Sequence, residues 1–230
     1  MVNSKNNDEL TQKAEKARNA FRELRTLSTD KKNTALNAIA DLLDRSHLEI
    51  LQANAIDMAA GERAGFASSI LGRLLLDESR LIGMSADLRS VASLPDPVGE
   101  QFDRRTLPNG IQIERRRVPL GVIGCVYESR PNVTTDIVAL CLKSGNAVVL
   151  RGGKEAVNSN AALIKLIKEA LSNSGISPEV VQFIDSTDRA IVDQMIRANG
   201  YIDLFIPRGG ASLVQYVRDN ATVPSITGGI

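Results

Sequence analysis

Residues 120–150 read LGVIGCVYESRPNVTTDIVALCLKSGNAVVL, and their pattern predicts the architecture of the chain. Residues 120–127 and 147–150 are apolar runs, and residues 134–143 between them have helical periodicity. Strands that are apolar on both faces are typical of a parallel sheet covered by helices. The stretch therefore predicts a β-α-β unit.

The alternation of apolar strands and amphipathic helices continues toward the C-terminus, and it predicts an α/β protein with a Rossmann-like parallel sheet. The predicted helices are residues 161–172, 190–198 and 211–219, and the predicted strands are residues 180–184, 202–206 and a closing strand near Val223.

The N-terminal part is predicted to be helical over residues 8–94, and a β-hairpin is predicted to follow. Three stripes at near-helical spacing predict amphipathic helices: Ala14, Ala17, Phe21 and Leu24; Leu36, Ile39, Ala40 and Leu43; and Leu71, Leu74, Glu78 and Leu81. Residues 102–106 and 111–117 flank Pro108-Asn109-Gly110, which is a turn signal. We expect N-terminal helices over 1–94, a bridging or oligomerisation hairpin over 95–117, and a dinucleotide-binding domain over 118–230.

Composition favours a small-molecule function. The chain has 230 residues, 43% of them hydrophobic. Its formal net charge is only +1, so its overall charge does not attract nucleic acid or an acidic membrane surface. No apolar run approaches the roughly 20 residues that span a bilayer. A single histidine, His47, excludes a multi-histidine metal site, and we expect no metal. Two cysteines without CxxC spacing, and a start without an apolar leader segment, favour the cytoplasm.

Four loops follow the predicted strands, and parallel strands bring such loops to one edge of the sheet. They are residues 127–132, 151–154, 185–187 and 207–210. Two of them, Arg151-Gly152-Gly153-Lys154 and Arg208-Gly209-Gly210, combine adjacent glycines with arginine, which suits a phosphate-bearing ligand. The alternative is tight turns with solvated arginines. Gly121 and Gly124 do not complete GxGxxG, and a P-loop is not completed because Glu155, rather than Ser or Thr, follows Lys154.

Other candidate residues have an ordinary structural interpretation beside the functional one. Cys125 and Cys141 are interpreted as core thiols rather than nucleophiles, and His47 as a packing or surface residue. Asn132 is either a helix N-cap or an oxyanion donor. The run of arginines at 115–117 is interpreted as a solvated or intersubunit edge.

Residues 118–133 and 140–153, with Asn158-Ser-Asn160 and Ile206-Pro-Arg-Gly-Gly210, closely resemble the γ-glutamyl phosphate reductases, or glutamate-5-semialdehyde dehydrogenases, of the aldehyde dehydrogenase superfamily. The resemblance implies NADPH-dependent reduction of L-glutamate 5-phosphate to glutamate 5-semialdehyde and phosphate in proline biosynthesis.

The resemblance also implies roles for single residues. Arg151 matches the position that holds the adenine ribose, Lys154 suits a 2′-phosphate beside Gly152 and Gly153, and Gly209 and Gly210 match the turn beneath the pyrophosphate. Ser129 and Arg130 are the implied substrate-binding residues, and Asn132 is the implied oxyanion donor.

The family's nucleophilic cysteine is expected in a second domain after Ile230, so this chain alone is expected to be inactive. A homo-oligomer built through the hairpin, and glutamate 5-kinase as a partner, are further implications of the resemblance. Two alternatives stay open: a non-enzymatic oligomerisation module, and part of a coenzyme A-acylating aldehyde dehydrogenase.

Overall fold

Five helices form the N-terminal part of the computed structural model, which describes residues 4–228, with side chains from residue 9 onward. They are α1 (Ser4–Leu24), α2 (Thr29–Arg45), α3 (His47–Arg63), α4 (Ser68–Leu74) and α5 (Glu78–Ser93). Ser28 caps the start of α2, because its side chain accepts a hydrogen bond from the Lys31 amide. Helix α1 packs against three strands of the parallel sheet in the C-terminal part, so it helps to cover that sheet.

The prediction that one helical stripe runs from Leu71 to Leu81 is wrong. Helix α4 ends at Leu74 and α5 begins at Glu78. The side chain of Asn54 causes the break, since its amide donates to the Leu74 carbonyl and its oxygen accepts from the Leu76 amide, both at 2.8 Å. These backbone groups are thereby withdrawn from a continuous helix.

The predicted hairpin is confirmed as an antiparallel pair, β1 (Gln101–Thr106) and β2 (Gln112–Arg116). Gly110, with φ of +86°, supplies the left-handed turn conformation. Every residue of both strands is exposed, and the pair forms a sheet of its own. A two-stranded ribbon of this kind is marginally stable without further packing.

The second sheet is parallel, as predicted, and it has four strands. They are β3 (Val122–Tyr127), β4 (Ala147–Arg151), β5 (Val181–Phe183) and β6 (Leu204–Arg208), joined in the order β5-β4-β3-β6. Helices α6 (Asn132–Lys143), α7 (Val157–Asn173), α8 (Ala190–Met195) and α9 (Ala211–Asn220) complete the α/β part. The strand order reverses at β3, between β4 on one side and β6 on the other, and ligands bind at such a switch point in open α/β sheets.

The closing strand predicted near Val223 is reduced to a single bridge between Ser225 and Phe205 of β6. The Phe205 amide donates to the Pro224 carbonyl, and the Ile226 amide donates to the Phe205 carbonyl. Pro224 has no amide hydrogen of its own, which limits the pairing in this segment. No helix in the described part of the chain combines the length and apolar character needed to cross a bilayer.

Candidate functional site

The four predicted loops come together at the carboxyl edge of the sheet. The Ser129 amide and hydroxyl both donate to Glu155 Oε1, at 2.7 and 2.8 Å, and join the first loop to the second. Arg151 Nη2 donates to the Thr187 carbonyl at 3.1 Å, which joins the second loop to the third. The Gly210 amide donates to Glu128 Oε2 at 2.9 Å, which joins the fourth loop to the first. The four loops are therefore linked to one another along this edge.

Arg151 ends β4 as a buried guanidinium, only 9% exposed. Its Nε is buried and lacks a hydrogen-bond partner among the described residues. Burial holds the pKa of Arg151 below its ordinary value, although the Glu155 and Asp188 carboxylates act in the opposite direction. The alternative of a solvated arginine is wrong for Arg151. A buried cation with an unused donor is suited to an anionic ligand.

The glycines of the second and fourth loops lie directly under side chains of the chain itself. A Cβ at Gly152 would clash with the Asn160 amide, one at Gly153 with the Glu155 carboxylate, and one at Gly209 with the Glu128 carboxylate. The space beside these glycines is thus occupied by polar side chains of the chain itself. Lys154, next to Gly153, is exposed at this edge.

The fourth loop leads into α9, and an acidic side chain lies at the start of that helix. The N-cap residue of α9 is Gly210, which has no side chain to cap the helix. Instead, Glu128 accepts a hydrogen bond from the Gly210 amide. A carboxylate is favourable at this position because helix N-termini attract anions. Since Glu128 is exposed, a diphosphate could replace it there.

The first loop carries the predicted substrate residues. Ser129 has a φ of +49°, an uncommon left-handed conformation for a non-glycine residue, and its two hydrogen bonds to Glu155 hold it there. Arg130 is exposed. Asn132 is the first residue of α6, so the N-cap alternative is wrong; its amide donates to Asp136 Oδ2 at 3.1 Å. Burial, and then the Asp87 carboxylate, raises the pKa of Asp136.

The two cysteines of the chain lie in the core, as interpreted. Cys125 in β3 is fully buried and Cys141 in α6 is 7% exposed. Burial raises the pKa of both thiols, that of Cys141 to about 12. Neither therefore offers a thiolate at neutral pH.

Comparison with known proteins gives the family. The model of the aldehyde dehydrogenase family matches residues 1–223. The chain belongs to the aldehyde dehydrogenase family. It is 52% identical over 217 residues to a gamma-glutamyl phosphate reductase of Roseiflexus castenholzii, covering 94% of this chain and 51% of that relative.

Two solved structures bear the same name and superpose closely on this aldehyde dehydrogenase family chain. The gamma-glutamyl phosphate reductase of Thermotoga maritima has a TM-score of 0.94 at 46% identity, over 96% of this chain and 54% of that one. The enzyme of Saccharomyces cerevisiae has a TM-score of 0.88 at 33% identity, over 95% of this chain and 56% of that one. The chain thus spans about half the length of these relatives.

Two further polar residues, one beside the loops and one in a separate pocket, were not predicted from the sequence. Glu155 was noted only as the residue that breaks the P-loop pattern, yet it fixes Ser129. Gln194 lines an open pocket of about 690 Å³ over α8, together with Ala190 and Tyr216, and both polar atoms of its amide are buried without a partner among the described residues. The sequence gives no sign that a single glutamine in a helix will line a pocket with its amide unpaired.

Proposed function

We propose that this chain forms the NADP(H)-binding half of a cytoplasmic enzyme of proline biosynthesis, which reduces L-glutamate 5-phosphate to L-glutamate 5-semialdehyde and phosphate. The observation that carries the proposal is the convergence of four loops around the buried, incompletely paired guanidinium of Arg151. The names of relatives at 52% and 46% identity support the choice of substrate.

The residues at the sheet edge fit a dinucleotide phosphate, and we assign its parts to them. The diphosphate replaces Glu128 on Gly209, Gly210 and the N-terminus of α9. Arg151, on the second loop with Gly152 and Gly153, holds the adenosine ribose, and Lys154 its 2′-phosphate. The amide of Gln194 has a free donor and a free acceptor, which suits the edge of the adenine ring. Bound NADPH supplies the hydride for the reduction.

The substrate lies at the first loop in this proposal. Ser129 and Arg130 bind it, and the second amide hydrogen of Asn132, beyond the one given to Asp136, donates to the acyl oxygen as negative charge develops. Acyl transfer needs a nucleophile. Because Cys125 and Cys141 are buried with raised pKa values, we assign that role to the half of the relatives that this chain does not match.

Titration of the chain with NADPH and with NADH, followed by fluorescence, tests the cofactor assignment. We expect saturable binding that favours NADPH, and Lys154→Glu should abolish the preference by removing the cation for the 2′-phosphate. Lys165→Glu is the matched control, since Lys165 lies on the exposed face of α7, paired with Glu49. An unchanged preference in Lys154→Glu, or no saturable binding by a chain with intact circular dichroism, would refute the assignment.

The exposed hairpin favours a second role in self-association. Its strands bury none of their residues, and Phe102, Ile111 and Ile113 are exposed on it. We propose that the enzyme is a homo-oligomer joined through this hairpin, and sedimentation of Ile111→Asp against the unaltered chain tests it. Association with glutamate 5-kinase stays a prediction. The alternative coenzyme A-acylating activity is tested by comparing acyl phosphate with acyl-CoA as substrates of the full-length enzyme.

A further inference from the structure

A second pocket, of about 340 Å³, opens beside the substrate loop. Helices α4 and α5 form one wall, and Arg130 and Asn132 at the start of α6 form the other. The pocket thus adjoins the place where we put the reacting end of the substrate.

Glycine leaves this pocket open. Gly72 in α4 and Gly83 in α5 line it, and no atom beyond the adjoining backbone of its own helix lies within 4 Å of a Cβ built at either position. Glycine inside a helix costs about 1 kcal/mol relative to alanine. Both glycines are exposed and no packing contact requires glycine at either position, so each leaves space open at its side of the pocket.

The lining carries both signs of charge. Arg73, Arg80 and Arg130 bring guanidinium groups, and Asp87 brings a carboxylate. Arg80 and Asp87 lie on one face of α5, seven residues or about 10 Å apart. Arg80 is held in place because it donates to the carbonyls of Gly72, at 2.9 Å, and of Leu75.

A further carboxylate lies behind Asn132. Burial, and then repulsion from Asp87, opposes the ionisation of Asp136, whereas the hydrogen bond from the Asn132 amide and the charge of Arg208 favour it. Among the described residues, neither Asp87 nor Asp136 has an ion-pair partner within 4 Å. A cationic group of a ligand between them would relieve this repulsion.

We propose that this pocket binds the α-amino acid end of the substrate: the arginines take its α-carboxylate, and Asp87, with Asp136 behind it, takes its α-ammonium. The inference rests on the proposed function, which it deepens by naming the groups that select an amino acid. A simple aldehyde or acyl group would leave both the guanidinium groups and the carboxylates unpaired. The pocket therefore sets substrate class, and the acyl phosphate extends from it toward Asn132.

Binding of small probes to the 230-residue chain, measured by calorimetry, tests the inference. The probes are L-glutamate, glutarate, which lacks the ammonium, and 4-aminobutyrate, which lacks the α-carboxylate. We expect L-glutamate to bind at least about tenfold more tightly than either analogue, since a lost charged hydrogen bond is worth ~1.5 kcal/mol or more. Equal affinities for the three probes, or no binding of L-glutamate, would overturn the inference.

Substitutions locate the effect. Asp87→Asn should weaken L-glutamate about tenfold and leave glutarate unchanged. Gly83→Leu should block all three probes by filling the pocket. The matched control is Asp103→Asn on the hairpin, where an exposed aspartate pairs with Arg115. Displacement of L-glutamate by inorganic phosphate with no effect of Asp87→Asn would overturn the inference, because the arginines would then serve a phosphate.

NADPH titration of the same variants separates this inference from the proposed function. Unchanged NADPH binding in Asp87→Asn and Gly83→Leu, with lost L-glutamate selectivity, supports the inference. If the chain binds NADPH but does not distinguish the probes, the pocket assignment alone fails. If it selects L-glutamate but does not bind NADPH, the cofactor assignment fails instead.

Discussion

Substitution of Asp57 by alanine should destabilise the chain more than loss of any exposed cap. Asp57 of α3 is 2% exposed, and its carboxylate accepts four hydrogen bonds at the start of α7. The donors are the Asn158 amide and side chain, at 3.1 and 2.7 Å, and the Ser159 amide and hydroxyl, at 2.8 and 2.7 Å. Alanine would leave all four donors without this acceptor in a buried setting.

The magnitude follows from those four donors. Each unsatisfied buried donor costs about 1–3 kcal/mol, but donors that share one acceptor do not add fully. We therefore expect Asp57→Ala to lower the free energy of unfolding by about 3–5 kcal/mol, a large part of the ~5–15 kcal/mol typical of a domain. The loss of unfolding free energy in Asp57→Asn should be smaller than in Asp57→Ala, because the asparagine amide keeps one accepting oxygen.

Urea unfolding followed by circular dichroism measures the effect. The control is Asp77→Ala, which removes an exposed cap that accepts only from the Arg80 amide at 2.8 Å and should cost about 1 kcal/mol. NADPH affinity should also fall in Asp57→Ala, because α7 begins just beyond the loop that carries Arg151 and Lys154. If Asp57→Ala costs no more than Asp77→Ala, the reasoning from buried donors is refuted.

Three further predictions concern single side chains. Burial opposes ionisation of Asp96, yet hydrogen bonds from Lys32, the Val98 amide and Thr29 hold its pKa below the ordinary value; its stabilisation is therefore present above about pH 4 and lost as pH falls through the lower folded-state pKa, so urea midpoints should fall more steeply in acid for the unaltered chain than for Asp96→Asn. Glu128→Gln removes a negative charge from the Gly210 amide and should tighten NADPH binding by roughly two- to fivefold in a fluorescence titration, whereas weaker binding would contradict the diphosphate assignment. Gly83→Ala should raise the free energy of unfolding by about 0.5–1 kcal/mol, because nothing lies within 4 Å of the added Cβ; a lower urea midpoint would count against an open pocket there.

The parallel sheet could be predicted because its signal is local. The residues of β3 and β4 are all buried, so apart from Arg151 at the end of β4 their sequences are almost entirely apolar, and α6 between them is periodic. Parallel connection then brings the loops after the strands to one edge. That the loops meet there followed from topology, without knowledge of any single contact.

The features that escaped prediction depend on partners far away in sequence. The break between α4 and α5 is made by Asn54, about 20 residues earlier, and local periodicity across Leu74 and Leu76 gives no sign of it. Likewise Glu155 reaches back to Ser129. A carboxylate or amide on a helix looks like any solvated residue until its partners are known.

Helix α3 links the two halves of the proposed site, although it supplies no ligand-binding residue. Asn54 fixes the turn from Leu74 to Leu76, which forms part of the 340 Å³ pocket, and it also donates to Ser159. One turn later, Asp57 fixes the same Ser159 at the start of α7. The pocket wall and the helix beyond the cofactor loop are thus held by neighbouring side chains of one buried network. Because the network crosses the boundary expected near residue 94, we propose that the N-terminal helices and the sheet unfold together and that a change in α3 alters affinity for both substrate and cofactor.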